Sequence, residues 1–372
     1  MSEHTTPRRI LLAVTGLTPQ IVTETLYALA CRADNPWIPH EIHLITTTTG
    51  ANNARLNLLA GEHWFHRLCA DYELPPITFT SEQIHVLQNA EGQPLDDIRT
   101  QADNTQAADC ITETLRALTA DPNSELHVSI AGGRKTMGYY LGYALSLYGR
   151  PQDRLSHVLV SDPYETNRNF YYPTPYEHPI HSPRGDKEVT VDARHALIDL
   201  ADIPFVLLRD GLPERLRTGQ TSFTRAVATA NRGLQEPHLV LDVKAQRVWA
   251  DDEEIMLSKT EFLILLWLAE RAGRGERTTD WSKPEVAQEF LSDVAVRIFN
   301  PDGADYQRLE ESLGWRIAKA HEPNEYFQPH KSNINKAFAL TLGKRSAERY
   351  LIGRGKDNAF PLVSEQIEIV GV

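Results

Sequence analysis

Long apolar runs, paired cysteines and surplus cations are all scarce in this 372-residue chain, and each shortage removes a class of protein. No run of about 18 apolar residues occurs, so no membrane-spanning helix is expected. The short run "ILLAV" after Arg8-Arg9 stops at Thr15-Gly16 and reads as a first strand rather than a signal peptide, so a cytoplasmic protein is expected. Cys31, Cys69 and Cys110 lie far apart, with no CxxC, so they are expected as reduced residues in helical segments, and no metal is assigned. With 38 Lys and Arg against 50 Asp and Glu, the net charge of −12 excludes a protein that coats nucleic acid with its whole surface. The nucleotide fingerprints are missing too. A P-loop needs Gly directly before its Lys, and a dinucleotide site needs three spaced glycines after the first strand, where "TGLTPQ" offers only Gly16. Neither a Mg-ATP hydrolase nor a cofactor is therefore expected.

What is present is a rhythm. Up to about residue 170, strand-like runs ("RRILLAV", "EIHLITTTT", "QIHVLQ", "ELHVSIAG", "LSHVLVSDP") alternate with helix-like ones ("PQIVTETLYALACRA", "NTQAADCITETLRALTA", "RKTMGYYLGYALSLYG"). Such alternation predicts an α/β domain with a mainly parallel, doubly wound sheet, Rossmann-like, over residues 1–175. In these sheets ligands sit at the carboxyl ends of the strands, where strand order reverses. Residues 176–236 read as a connector that opens on a Pro- and His-rich excursion. His178 and His181 have no third ligand nearby and are read as surface residues. From 237 to 372 the pattern changes to short strands, a capping box at Ser258 and Glu261, several helices and a closing hairpin, the order of an α+β winged helix-turn-helix domain.

Two loops stand at predicted strand ends: "TGLTPQ", Thr15 to Gln20, and "AGGRKTM", Ala131 to Met137. In the second, Gly132 and Gly133 permit close backbone approach, and the following helix presents free N–H groups and a positive dipole end. Arg134 and Lys135 add cations where a helix start disfavours them unless an anion compensates, and Thr136 adds a hydroxyl. A plain strand-to-helix turn with solvated cations is the alternative. Without P-loop spacing, the loop suits a phosphodiester rather than a metal-bound triphosphate.

Together "TGLTPQIVTETLYAL" and the β-GGRKTM-α element closely resemble the CARF domains of CRISPR-associated proteins, sensors that accompany type III CRISPR systems and bind cyclic oligoadenylates. The likeness covers residues 6 to 170. It implies a homodimer holding a cyclic tetra- or hexa-adenylate across its twofold axis, because a symmetric ring suits an isologous interface. Carried over by position, Thr15, Gly16, Leu17, Thr18 and Gln20 line the ring, and Gly132, Gly133, Arg134, Lys135 and Thr136 hold its phosphates. Thr46 to Thr49, Asn52 and Asp162 are weaker candidates. Some relatives cleave their ligand without metal, by attack of the ribose 2′-OH on its own phosphorus; here Lys135 and Arg134 would supply charge and Thr15 or Thr18 would orient the nucleophile.

Many CARF proteins also carry a HEPN ribonuclease. Arg316 and His321 have its spacing, but so arginine-rich a chain meets that spacing by chance, and a long all-helical domain is not apparent. Instead, "EEIMLSKTEFLILLWLAERAG" resembles winged-helix domains of response regulators, with "KSNINKAFAL" in the place of a recognition helix. Residues 331 to 356 hold seven Lys or Arg against one Glu. Lys331, Asn333, Asn335 and Lys336, with Arg345 and Arg349, are the expected contacts to double-stranded DNA. Dimerisation or signal relay without DNA is the alternative for this domain.

Overall fold

The computed structural model describes residues 7–371 apart from 33, 185–186, 220–221, 233–234, 300, 319–322 and 354–357. Two compact units emerge: Met1–Arg209 with Gln220–Ala226, and Asp210–Gly219 with Val227–Val372. In the first, β1 (Arg8–Val14), β2 (Glu41–Thr46), β3 (Ile84–Val86), β4 (Ser124–Ser129) and β5 (Arg154–Val160) run parallel in the order β3-β2-β1-β4-β5. After β6 (Pro179–Arg184) and β7 (Lys187–Asp192), a separate hairpin, β8 (Ile198–Asp202) joins the β5 edge antiparallel. The excursion read from the prolines thus contains β6, and the stretch read as a connector supplies the sixth strand of the sheet.

The helices are α1 (Gln20–Tyr27), α2 (Thr48–Ala54), α3 (Trp64–Asp71), α4 (Gln101–Leu118) and α5 (Lys135–Tyr148). Strand β1 is buried on both faces, which explains its unbroken apolar text. Leu11 and Ala13 join a cluster with Val22 and Leu26 of α1 and Phe65 and Leu68 of α3. Ile10, Leu12 and Val14 are equally buried on the opposite face, the side of the paired helices α4 and α5. The chain moves outward from β1 to β3 and returns at β4, so strand order reverses between β1 and β4. Both sequence loops leave the sheet at this point.

In the second unit, β9 (Leu239–Asp242), β10 (Arg247–Ala250) and β11 (Glu253–Ile255) form an antiparallel meander. Asp251 and Asp252 take φ of 48° and 66°, the left-handed pair that a two-residue hairpin turn requires. Ser258 and Glu261 form the expected capping box, and the helix Lys259–Gly273 runs through the core, with Phe262 to Ala269 all buried. The closing hairpin is not formed. Residues 349–353 make no strand, and β12 (Ile367–Val370) pairs parallel to β9. The cause is a side chain from the preceding helix: Asn335 donates to Ile352 O at 3.0 Å and accepts from Ile352 N at 2.9 Å, occupying the groups a hairpin would use. No helix among the described residues is long and apolar enough to cross a membrane.

Candidate functional site

Parallel pairing brings the two loops together. Thr15 N donates to Ile45 O at 3.1 Å, and the buried Thr15 hydroxyl donates to Thr18 O at 2.6 Å, curling the β1 loop back on itself. The β4 loop presses against it: a Cβ on Gly132 would lie 2.8 Å from Val14 O and 3.3 Å from Thr15 Cα, and one on Gly16 would lie 3.5 Å from Gly133 Cα. Gly133, at φ +80°, makes the left-handed turn into α5 that a residue with a Cβ resists. Arg134 is the N-cap residue, with no side-chain cap and no acid in the first turn. The start of α5 is therefore a positive helix end without a counter-charge of its own.

Beside the loops lies a cavity of about 490 Å³ lined by Gly16, Leu17 and Thr18 of the first, Gly133, Arg134 and Met137 of the second, and Thr47, Thr49 and Asp97. Leu17 is 64% exposed at its rim. Thr15 is buried and Gly132 half-buried, and neither is on the cavity wall. Lys135 and Thr136 stand exposed on the first turn of α5, outside the cavity wall. Gln20 turns away, donating to Arg168 O at 2.7 Å. Of the threonine run, Thr47 caps α2 by accepting from Gly50 N at 3.3 Å, and Thr48 donates to Leu95 O at 3.1 Å. Asn52 accepts from Arg55, and Asp162 lines neither this cavity nor its neighbour.

Asp97 is the residue that sequence reasoning missed. Its carboxylate takes Arg134 Nε at 2.8 Å on Oδ1 and Arg134 Nη2 at 2.5 Å on Oδ2, with Arg99 Nε 3.4 Å away. The Arg134 bond, above all, pulls the Asp97 carboxyl down to about 2. The arginine expected to meet a phosphate thus already holds an anion, in the bidentate geometry that guanidinium offers to carboxylate and phosphate alike. The nearest signal in the sequence is "LDDIRT", an acid pair 37 residues from Arg134 with no periodicity to connect them.

In the second unit, most of the expected DNA contacts are engaged internally. Lys331 is buried, donating to Asn358 Oδ1 at 2.7 Å and Gly353 O at 3.3 Å beneath the Trp281 ring. Asn333 donates to Glu261 at 2.9 Å, Asn335 holds Ile352, and Arg349 pairs with Asp251 at 2.7 Å. Lys336 and Arg345 are exposed. His321 lies outside the described residues, and no group of three potential metal ligands occurs among those described.

The family model described as CRISPR-associated protein NE0113 (Cas_NE0113) matches residues 18–236, more than half of the chain. The chain belongs to this family. The match takes in the β4 loop, the whole of α5 and the β1 loop from Thr18 onward, so it covers most of the cavity wall in this NE0113-family protein. No match was found among curated proteins.

Proposed function

We propose that this CRISPR-associated protein binds a cyclic oligoadenylate, of tetra-adenylate size, across a homodimer in which each protomer contributes one pair of loops. The observation that carries the reading is the meeting of the β1 and β4 loops at the switch point of the sheet, around a cavity that holds Thr18, the Gly133 turn and Arg134. The uncapped, cation-flanked start of α5 supplies the pull on phosphate. A second protomer completes the cradle, because one protomer offers one copy of a patch that a symmetric ring meets more than once.

Titration calorimetry with cyclic tetra-adenylate tests this. Wild type should bind, and Lys135→Ala should weaken binding at least tenfold, the scale of a lost charge-assisted contact of about 1.5–3 kcal/mol, with an unchanged melting temperature. Retained affinity in that variant would count against the site. Chromatography of the same mixtures separates binding from metal-independent cleavage of the ring. For cleavage, Thr18 is the better placed hydroxyl, because that of Thr15 is committed to Thr18 O.

A further inference from the structure

On the other side of the β1 loop lies a second cavity, of about 240 Å³, whose wall includes Gln20 and Glu24 of α1, His157 of β5, and Glu165 and Arg168 from the segment that follows it. Thr18 borders both cavities. Gln20 and Glu24 are four residues apart and so share one face of the helix. Glu24 is 6% exposed, and no described residue hydrogen-bonds its carboxyl. Gln20 is 8% exposed; its Nε2 is fixed on Arg168 O, which leaves Oε1 buried and without a partner. Two nearly buried polar side chains therefore face the same space with hydrogen-bonding capacity unused, a cost that a ligand can relieve.

The chemistry of the wall selects the ligand. Burial first, and then the charge of Glu165, push the Glu24 carboxyl up to about 8. At neutral pH it is therefore an acid, offering an O–H donor and a C=O acceptor together. A metal ion finds no group of three ligands here, and an anion meets Glu165. A flat neutral group with an amine beside an unprotonated ring nitrogen fits: the acid O–H donates to the ring nitrogen, its carbonyl accepts from the amine, and Gln20 Oε1 accepts the second amine hydrogen.

We propose that this cavity binds the amine edge of an adenine base, with Glu24 and Gln20 reading that edge. The proposal rests on the cyclic oligoadenylate reading for the source of the base. Thr18, at the border of both cavities, lets one nucleotide place its phosphate in the first and its base in the second.

The test is calorimetry on the full chain with cyclic tetra-adenylate and, separately, with adenosine and inosine, at pH 6.5 and 9.5. Glu24→Ala should weaken both adenine ligands about tenfold, the scale of one or two lost hydrogen bonds. Glu24→Gln should retain wild-type affinity at pH 6.5, because an amide offers the same donor and acceptor. It should also keep that affinity at pH 9.5, where wild type loses it by ionisation. Inosine should bind more weakly, since its oxo group faces Gln20 Oε1. Unchanged affinity in Glu24→Ala, or equal binding of inosine, overturns the proposal. Adenosine binding without ring binding leaves the base site standing and removes the ring reading. Ring binding that is indifferent to Glu24→Ala, with no adenosine binding, does the reverse. Melting curves check that each variant folds.

Discussion

At the scale of single residues, contact distances decide which loop positions tolerate change. A methyl group on Gly132 would meet the Val14 carbonyl at 2.8 Å, and that backbone cannot yield without moving β1. Gly132→Ala should therefore cost about 1–3 kcal/mol, as overpacking does, measured by urea denaturation of the first unit. Asp97 raises a different question, since it occupies the guanidinium that a phosphate would need. Its carboxyl is held down to about 2, so the pair stays intact from neutral pH down to the acid range and is lost only as pH falls below the usual carboxylate value. Asp97→Asn removes a negative charge from the cavity and releases Arg134. On the proposed reading, it should tighten cyclic tetra-adenylate binding about three- to tenfold, in proportion to a charge-assisted bond of roughly 1 kcal/mol net, as read by calorimetry. Weaker binding in this variant would show that Asp97 positions Arg134 rather than competing for it. The glycines and cations of this site were legible in the sequence, because strand end, glycine pair and helix start are consecutive. Asp97 was not, because nothing local ties "LDDIRT" to "AGGRKTM".

At the scale of elements, alternation carried the reading of the first unit and misled at the end of the second. The five parallel strands and the helices α1, α4 and α5 follow from apolar runs and caps, since each buries a face that its own periodicity defines. "ERYLI" alternates like a strand, yet Asn335 captures the backbone of Ile352, and Tyr350 donates its hydroxyl to Asp251 Oδ1 at 2.5 Å. Both anchors lie distant in sequence. Asn335→Ala should destabilise the second unit by about 1–3 kcal/mol, because it strands a backbone donor and acceptor. Lys336→Ala, one residue on and exposed, should stay within about 0.5 kcal/mol. Paired denaturation curves distinguish them, and equal losses would contradict the assignment of Asn335 as the tie. The basic character of residues 331–356 is real in composition, but burial converts Lys331 from a surface cation into a packing residue whose pKa burial lowers.

At the scale of the whole molecule, buried titratable groups set the response to pH. Glu24 binds its proton up to about 8 when folded, but an unfolded glutamate releases it near 4.3. The folded state then holds more protons between these values, so this contribution is full below the unfolded pKa and is lost as pH rises toward 8. Glu24→Gln should flatten that limb, with a melting temperature that exceeds wild type increasingly from pH 5 to 8. A constant difference across that range would contradict a buried acid. His127 acts in the opposite sense. Burial, and then Arg154, bring it down to about 4, so its contribution is present above about 6.5 and is lost as pH falls through the folded value.

The order of strands and helices in the first unit, its glycine turn, its cations and the capping box at Ser258 were determined by the sequence itself, because each depends on neighbours a few residues away. The clamp of Asp97 on Arg134, the burial of Lys331, the parallel return of β12 and the unsatisfied pair Gln20 and Glu24 were decided by tertiary structure. In each of these cases a polar group's partner, or the lack of one, is set by chain that arrives from a distant position, and no local pattern records it.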